Sequence, residues 1–264
     1  MDHLIRRGRW TRAFALVLVA LALVAGGCGD DDKNASASGG ELVVSAAQSL
    51  NGAFESYGQS FKTARAQFNF AGSDELATQI RSGAKPDVFA SANTKLPDEL
   101  YTAKLVEKPV VFAVNRLVLA IPKDSNKVRS LDDLTKGGVS LAIGAKDVPV
   151  GTYTRKVLAG LSTSAQKQIY ANVKTEEPNV AGITAKLTQG AADAGFVYIT
   201  DVQATNGRLE AIELPDKLQP NVAYGVAIVQ GARNRAAAQS FVDGLLDGPG
   251  ADALRDAGFE PPPA

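Results

Sequence analysis

The stretch ELVVSAAQSLNGAFESYGQSFKTARAQFNFAGSDELATQIRSGAKPDVFASA, residues 41–92, decides the fold. Its opening ELVVSAA is short, apolar and β-branched, and reads as a buried strand. Residues 50–64 carry apolar side chains at 50, 53, 54, 57 and 61, the spacing of one helix face. AQFNFA (66–71) alternates as a strand does, and DELATQIRSGA (74–84) is a short helix closed by Gly83. PDVFASA (86–92) is a second buried strand, and residues 94–105 read as a helix. The order β-α-β-α-β-α implies a parallel sheet covered by helices.

FAGSDEL, inside this stretch, raises a narrower question. Ser73 is the first polar side chain at the entrance of the helix expected at 74. As an N-cap it would contribute about 1 kcal/mol to the helix. Alternatively, its hydroxyl and the free N–H groups behind it hold an anion.

Downstream the pattern continues. RLVLAIP (116–122), VSLAIGA (139–145), the end of GAADAGFVY (190–198) and VAYGVAIV (222–229) read as strands. Residues 152–161, 179–189 and 232–247 read as helices, and the tail as a last helix before a proline-blocked end. No internal repeat stands out. The strands at 116–122 and 222–229 bracket the middle third and are expected to cross between two α/β lobes. One lobe would hold 41–119 plus 226–264, the other 120–225. A cleft between such lobes gathers the loops at the carboxyl ends of parallel strands, where ligands bind.

Upstream, Arg6, Arg7, Arg9 and Arg12 precede the apolar run AFALVLVALALVA (13–25), which is short for a membrane span. Residues 1–27 are therefore expected to be an export signal. Cys28 is the sole cysteine. The apolar run and AGGC resemble the lipobox of bacterial lipoproteins, with Ala25 where leucine is usual; this implies lipidation of Cys28. The competing reading is a plain secretory signal with an incidental cysteine. Residues 29–40 are small and polar, so 28–40 is expected to be a lipidated N-terminus and flexible tether.

Composition excludes much chemistry. Of 28 basic and 28 acidic residues, four arginines and one aspartate lie in the first 27, leaving 24 against 27. That balance offers no footprint for nucleic acid. The single His3, Met1 and Trp10 also lie in the signal. The mature chain thus has no histidine for a triad, a typical zinc site or haem ligation.

Four corners place a helix N-terminus after a strand or loop: AAQSL with Ser49, FAGSDEL with Ser73, DVPVGTYTR with Val150 and Gly151, and EPNVAGIT with Val180. Each carries unpaired N–H groups and a partial positive charge. Converging on one point, they would bind an oxyanion without a cation.

AAQSL, FAGSDELATQIRSGAKPDVFASA, NRLVLAIPK, IGAKDVPVGTYTRKVL and DAGFVYITD, in this order, resemble the periplasmic molybdate-binding proteins of ABC importers. The resemblance runs from residue 41 to 259. It implies a type II periplasmic binding protein fold, an α/β architecture of two lobes joined by two crossing strands. It also implies capture of molybdate or tungstate as ligand, with no cofactor, no catalytic residue and no direct protein–metal bond. Ser49 and Ser73 would donate hydroxyl and N–H, Val150 and Val180 backbone N–H, and Tyr198 its phenol hydroxyl. Val150 stands where the family usually has alanine. Gln48 also replaces a usual alanine and would crowd the first loop. Asp74 and Glu75 depart from the family's small or neutral residues and are expected to point outward, complementing the helix dipole. The implied partners are an ABC permease and, through Cys28, the outer face of the cytoplasmic membrane; the protein is expected to be a monomer. With neutral donors alone, affinity is expected to vary little between pH 6 and 8.

Three other readings stay open. A sulfate or phosphate receptor of the same fold would need, for phosphate, an acceptor such as Asp74 or Asp147. An enzyme would rely on carboxylates or a lysine-activated serine near Lys146 or Asp147. A surface interaction protein would carry a vestigial cleft.

Overall fold

The computed structural model describes residues 39–262. The expected export signal, Cys28 and all but the last two tether residues lie outside the described residues. Gly39 and Gly40, expected in the tether, are held instead: the Gly39 carbonyl accepts from Asn234 Nδ2 at 2.6 Å and the Gly40 carbonyl from the Arg65 N–H at 2.9 Å.

Two five-stranded sheets form, with ten strands between them. The first is built from β1 (Glu41–Ala47), β2 (Arg65–Ala71), β3 (Val88–Ser91), β4 (Val110–Asn115) and β10 (Val222–Ile228), in the order β2-β1-β3-β10-β4. The second contains β5 (Leu117–Pro122), β6 (Leu141–Gly144), β7 (Val173–Glu177), β8 (Ala194–Tyr198) and β9 (Leu209–Glu213), in the order β7-β6-β8-β5-β9. In each, three adjacent strands run parallel and the fourth runs antiparallel to its neighbours. The two sheets therefore share one pattern of strand directions, although the antiparallel strand comes last in the chain in the first sheet (β10) and first in the second (β5).

Helices cover the sheets, as buried parallel strands require. In the first lobe α1 (Asn51–Ser60), α8 (Arg235–Leu246) and α9 (Pro249–Asp256) pack together. There Phe54 and Phe241 meet edge to face at 5.5 Å and Tyr57 stacks on Phe241 at 4.6 Å. A separate cluster around Leu76, Ile80, Leu96 and Leu100 seats α2 (Ser73–Arg81) and α3 (Lys95–Thr102). In the second lobe α4 (Pro149–Ala159) and α6 (Val180–Thr188) pack on β6 and β8. The short α7 (Ile199–Gln203) follows β8, and α5 (Thr163–Asn172) leads into β7. Asp87, in the DVF motif, is buried and structural: its carboxylate accepts from the N–H of Val43 at 2.8 Å and of Asn234 at 2.9 Å.

The expected lobe limits need correction. Boundaries at 119/120 and 225/226 would cut β5 and β10, yet β5 pairs only within the second sheet and β10 only within the first. The chain passes between sheets at Arg116 and again through 214–221. The apolar run 110–122 hides the first passage, because only Asn115 and Arg116 interrupt it.

Register positions the site. Ala46 pairs with Phe70 on one side and Ala90 on the other, so the corners after β1, β2 and β3 emerge side by side. In the second sheet Gly144 pairs with Glu177, which brings the starts of α4 and α6 to a common edge.

Candidate functional site

One cavity, about 250 Å³ of empty space with its mouth included, collects Ser49, Ser73, Val150, Val180 and Tyr198. Gln48 and Asn179 also line it, and the rest of the wall is Ala47, Ala71, Gly72, Ala92, Val148 and Pro149. No lysine, arginine, aspartate or glutamate lines it. Lys146 and Asp147 are exposed and lie outside the lining.

Ser73 is not a helix cap. Gly72 occupies the N-cap of α2 and makes no side-chain cap bond. Ser73 is buried, and its Oγ accepts from the Ala92 N–H at 3.1 Å. Ser49 does not cap α1 either: it sits in the 3-10 turn Gln48–Leu50, and its Oγ lies 2.9 Å from the Tyr224 hydroxyl. The N-cap reading of both serines therefore falls. Both instead belong to corners whose first-turn N–H groups have no acceptor within their own helix.

Val150 follows Pro149, whose fixed φ suits the first helical position and whose missing N–H loses nothing there. Gly151 lets this helix start touch the end of β6: a Cβ at Gly151 would lie 1.9 Å from the Ala145 carbonyl oxygen. That contact is the physical reason for glycine in VPVG, and it brings the Val150 corner to the cavity. At α6, Asn179 caps the helix by accepting from the Gly182 N–H at 3.2 Å, leaving Val180 as the next residue at the cavity wall.

Tyr198 ends β8, and its ring is buried. Its hydroxyl has no hydrogen-bond partner among the described residues. Burial holds its pKa well above 10, so at neutral pH it keeps a proton to donate. An orphaned buried hydroxyl is costly unless something completes it.

Of the two acids expected to point outward, Glu75 is exposed. Asp74 does not behave as expected: its Oδ1 is buried and unpartnered. That oxygen and the Pro178 carbonyl oxygen crowd Gly72, at 2.9 Å and 2.7 Å from the point where a Cβ would sit. Asp74 stays outside the cavity lining. Gln48 lines the cavity and is only half-buried, so it narrows the first corner without filling it.

Sequence reading missed Asp201. It lies in the first turn of α7, accepts from the Tyr198 N–H at 3.0 Å, and borders a second cavity with Gln203 and Asp256. Burial pushes its pKa up from 3.8 to about 7, partly offset by the Tyr198 N–H. A titrating carboxylate thus stands directly behind Tyr198. Where this group ionises, affinity would depend on pH, against the expectation drawn from neutral donors alone.

A two-lobed α/β molecule with a neutral, donor-lined cavity is a binding protein by architecture. Residues 42–260 match the family model of bacterial extracellular solute-binding proteins, and the chain belongs to that family. It is 34% identical over 258 residues to the molybdate-binding protein ModA of Mycobacterium tuberculosis H37Rv, covering 93% of this chain and 97% of the relative. It is 31% identical over 263 residues to ModA of Escherichia coli K12, covering 95% and 98%. Among solved structures, the periplasmic molybdate-binding protein of Azotobacter vinelandii superposes with a TM-score of 0.76 at 21% identity, over 84% of this chain and all of that one. The sulfate-binding protein SubI of M. tuberculosis superposes at 0.73 with 14% identity, over 84% and 86%. At these identities the structural likenesses establish the fold.

Proposed function

We propose that this protein captures a tetrahedral oxyanion, molybdate or tungstate, outside the cytoplasm and delivers it to an ABC permease. The observation that carries the reading is the cavity itself: Ser49, Ser73, Val150, Val180 and Tyr198 converge on it, and no charged side chain does. A buried dianion loses a large hydration energy. Hydrogen bonds to a charged group contribute about 1.5–3 kcal/mol each, so several fixed N–H and O–H donors offset that loss. Helix starts supply such donors already oriented. The naming of the curated relatives for molybdate supports this ligand class. A phosphate receptor is disfavoured because no carboxylate lines the cavity to accept the ligand's proton. The alternative of enzyme chemistry at Lys146 or Asp147 is disfavoured because both side chains are exposed and outside the cavity lining.

Isothermal titration of the mature chain tests the reading. Molybdate and tungstate bind one per chain; sulfate or phosphate displacing tungstate stoichiometrically at micromolar levels would overturn it. A lipid on Cys28 would hold the receptor beside its permease. On this reading Cys28→Ser moves the protein from the membrane fraction to the soluble one; unchanged fractionation would contradict the anchor.

A further inference from the structure

We propose that Tyr224, which does not line the cavity, sets the site's selectivity against protonated oxyanions by fixing which way the Ser49 hydroxyl points. The inference rests on the oxyanion reading above. The two serines are prepared alike. Ser73 Oγ accepts from the Ala92 N–H, a group that can only donate, so its own hydrogen is free to turn to the cavity. Ser49 Oγ meets the Tyr224 hydroxyl at 2.9 Å, a pair in which either oxygen could donate.

The direction is set one residue further back. Asn115 Oδ1 accepts from the Arg116 N–H at 2.9 Å, which fixes the side-chain amide and leaves Nδ2 as the donor end. Nδ2 donates to Thr200 Oγ1 at 2.9 Å and, at a longer 3.5 Å, to the Tyr224 oxygen. With its oxygen facing that donor, Tyr224 turns its own hydrogen to Ser49 Oγ. Ser49 must then direct its hydrogen elsewhere, toward the cavity. The chain of donors runs from the Arg116 N–H through Asn115 and Tyr224 to Ser49.

The relay also joins the lobes. Asn115 ends β4 in the first sheet, and Thr200 lies in α7 after β8 of the second. Tyr224 is fully buried, braced edge to face by Phe259 at 5.3 Å and Phe112 at 6.2 Å, so its hydroxyl oxygen is held beside Ser49. With the Ser73 oxygen taking the Ala92 N–H and the Ser49 oxygen the Tyr224 hydrogen, both serines turn their hydrogens to the ligand. A fully deprotonated dianion fits; an oxyanion carrying a hydrogen finds its own O–H facing donors. Without the Tyr224 hydroxyl, Ser49 can rotate and accept from such a ligand.

The test is titration of wild type, Tyr224→Phe, Ser49→Ala and the double variant with molybdate and with phosphate at pH 8, where phosphate carries one proton. The phenylalanine keeps the ring packing, and a melting curve checks the fold. Wild type prefers molybdate, and Tyr224→Phe lowers the molybdate-to-phosphate affinity ratio by about tenfold. In the Ser49→Ala background the same change leaves the ratio unaltered. A ratio unchanged in the single variant, or lowered equally with and without Ser49, would overturn the inference while leaving the oxyanion reading intact. A folded wild type that binds neither anion would overturn the oxyanion reading, and the inference with it.

Discussion

Ser73 shows what one hydroxyl does when a protein donor already occupies its oxygen: it keeps a hydrogen for the ligand. Ser49 does the same where the Tyr224 hydroxyl is the donor of their shared bond. Replacing either by alanine leaves a ligand oxygen unpaired, so each change should weaken molybdate binding by about 1–3 kcal/mol. Calorimetry that finds both variants unchanged would remove the serines from the site. Asp201 makes a second residue-scale prediction. Its folded pKa is raised from 3.8 to about 7, so the folded state holds a proton that the unfolded chain has released over that window. The associated stability is fully present below about pH 4 and is lost as pH rises through 7. The groups facing this carboxylate are the Tyr198 N–H, the phenols of Tyr198 and Tyr224, and Asp256 across the second cavity. Ionised Asp201, one residue layer behind Tyr198, would also oppose a dianion held at the Tyr198 hydroxyl. Asp201→Asn should therefore flatten the fall in melting temperature between pH 4 and 7, and the severalfold weakening of molybdate between pH 6 and 8. Parallel pH profiles for variant and wild type would contradict this. The serines were legible because strand, small corner and helix start can be read locally. Asp201 was not, because a first-turn acid looks ordinary until the fold sets it against the Tyr198 N–H.

At the scale of elements, the site is a set of close approaches between backbone segments. Gly72 adopts φ −61°, a conformation open to any residue, so its lack of a side chain answers a contact and not a torsion. The contact is with Pro178 of the other lobe, whose carbonyl oxygen a Cβ would meet at 2.7 Å. Gly72→Ala should hold the lobes apart and weaken molybdate by about tenfold, with little change in the melting temperature of the free protein. Unaltered affinity would show that closure does not need this contact. The central strands and the helices around the site follow from apolar runs and periodicity. The elements that escaped sequence reading lack either a buried face clear enough to read or a visible boundary. β7 (VKTEE) and β9 (LEAIE) are charged edge strands, as edges commonly are. α5 exposes most of a polar sequence, and β4 merges with β5 into one apolar run. Helix α1 stops at Ser60, before the expected 64, because Phe61 turns to extended backbone while its ring still packs on Tyr57.

Across the whole molecule, two sheets with the same pattern of strand directions present their corners to one cavity. The chain crosses between the sheets twice, at Arg116 and through 214–221, and a hinge for closure would lie there. Small-angle scattering should show a smaller radius of gyration with molybdate than without; identical values would argue against closure. The two-lobe plan was legible from strand and helix order. The limits of the two passages were not, because sheet membership depends on pairing partners distant in sequence. The most direct measurement is a crystal structure of the mature protein with tungstate, whose electron density locates every oxygen. The account predicts N–H and O–H groups of Ser49, Ser73, Val150, Val180 and Tyr198 within about 3 Å of those oxygens. A lysine or arginine gripping the anion, or the Ser73 hydroxyl turned away from it, would contradict the account.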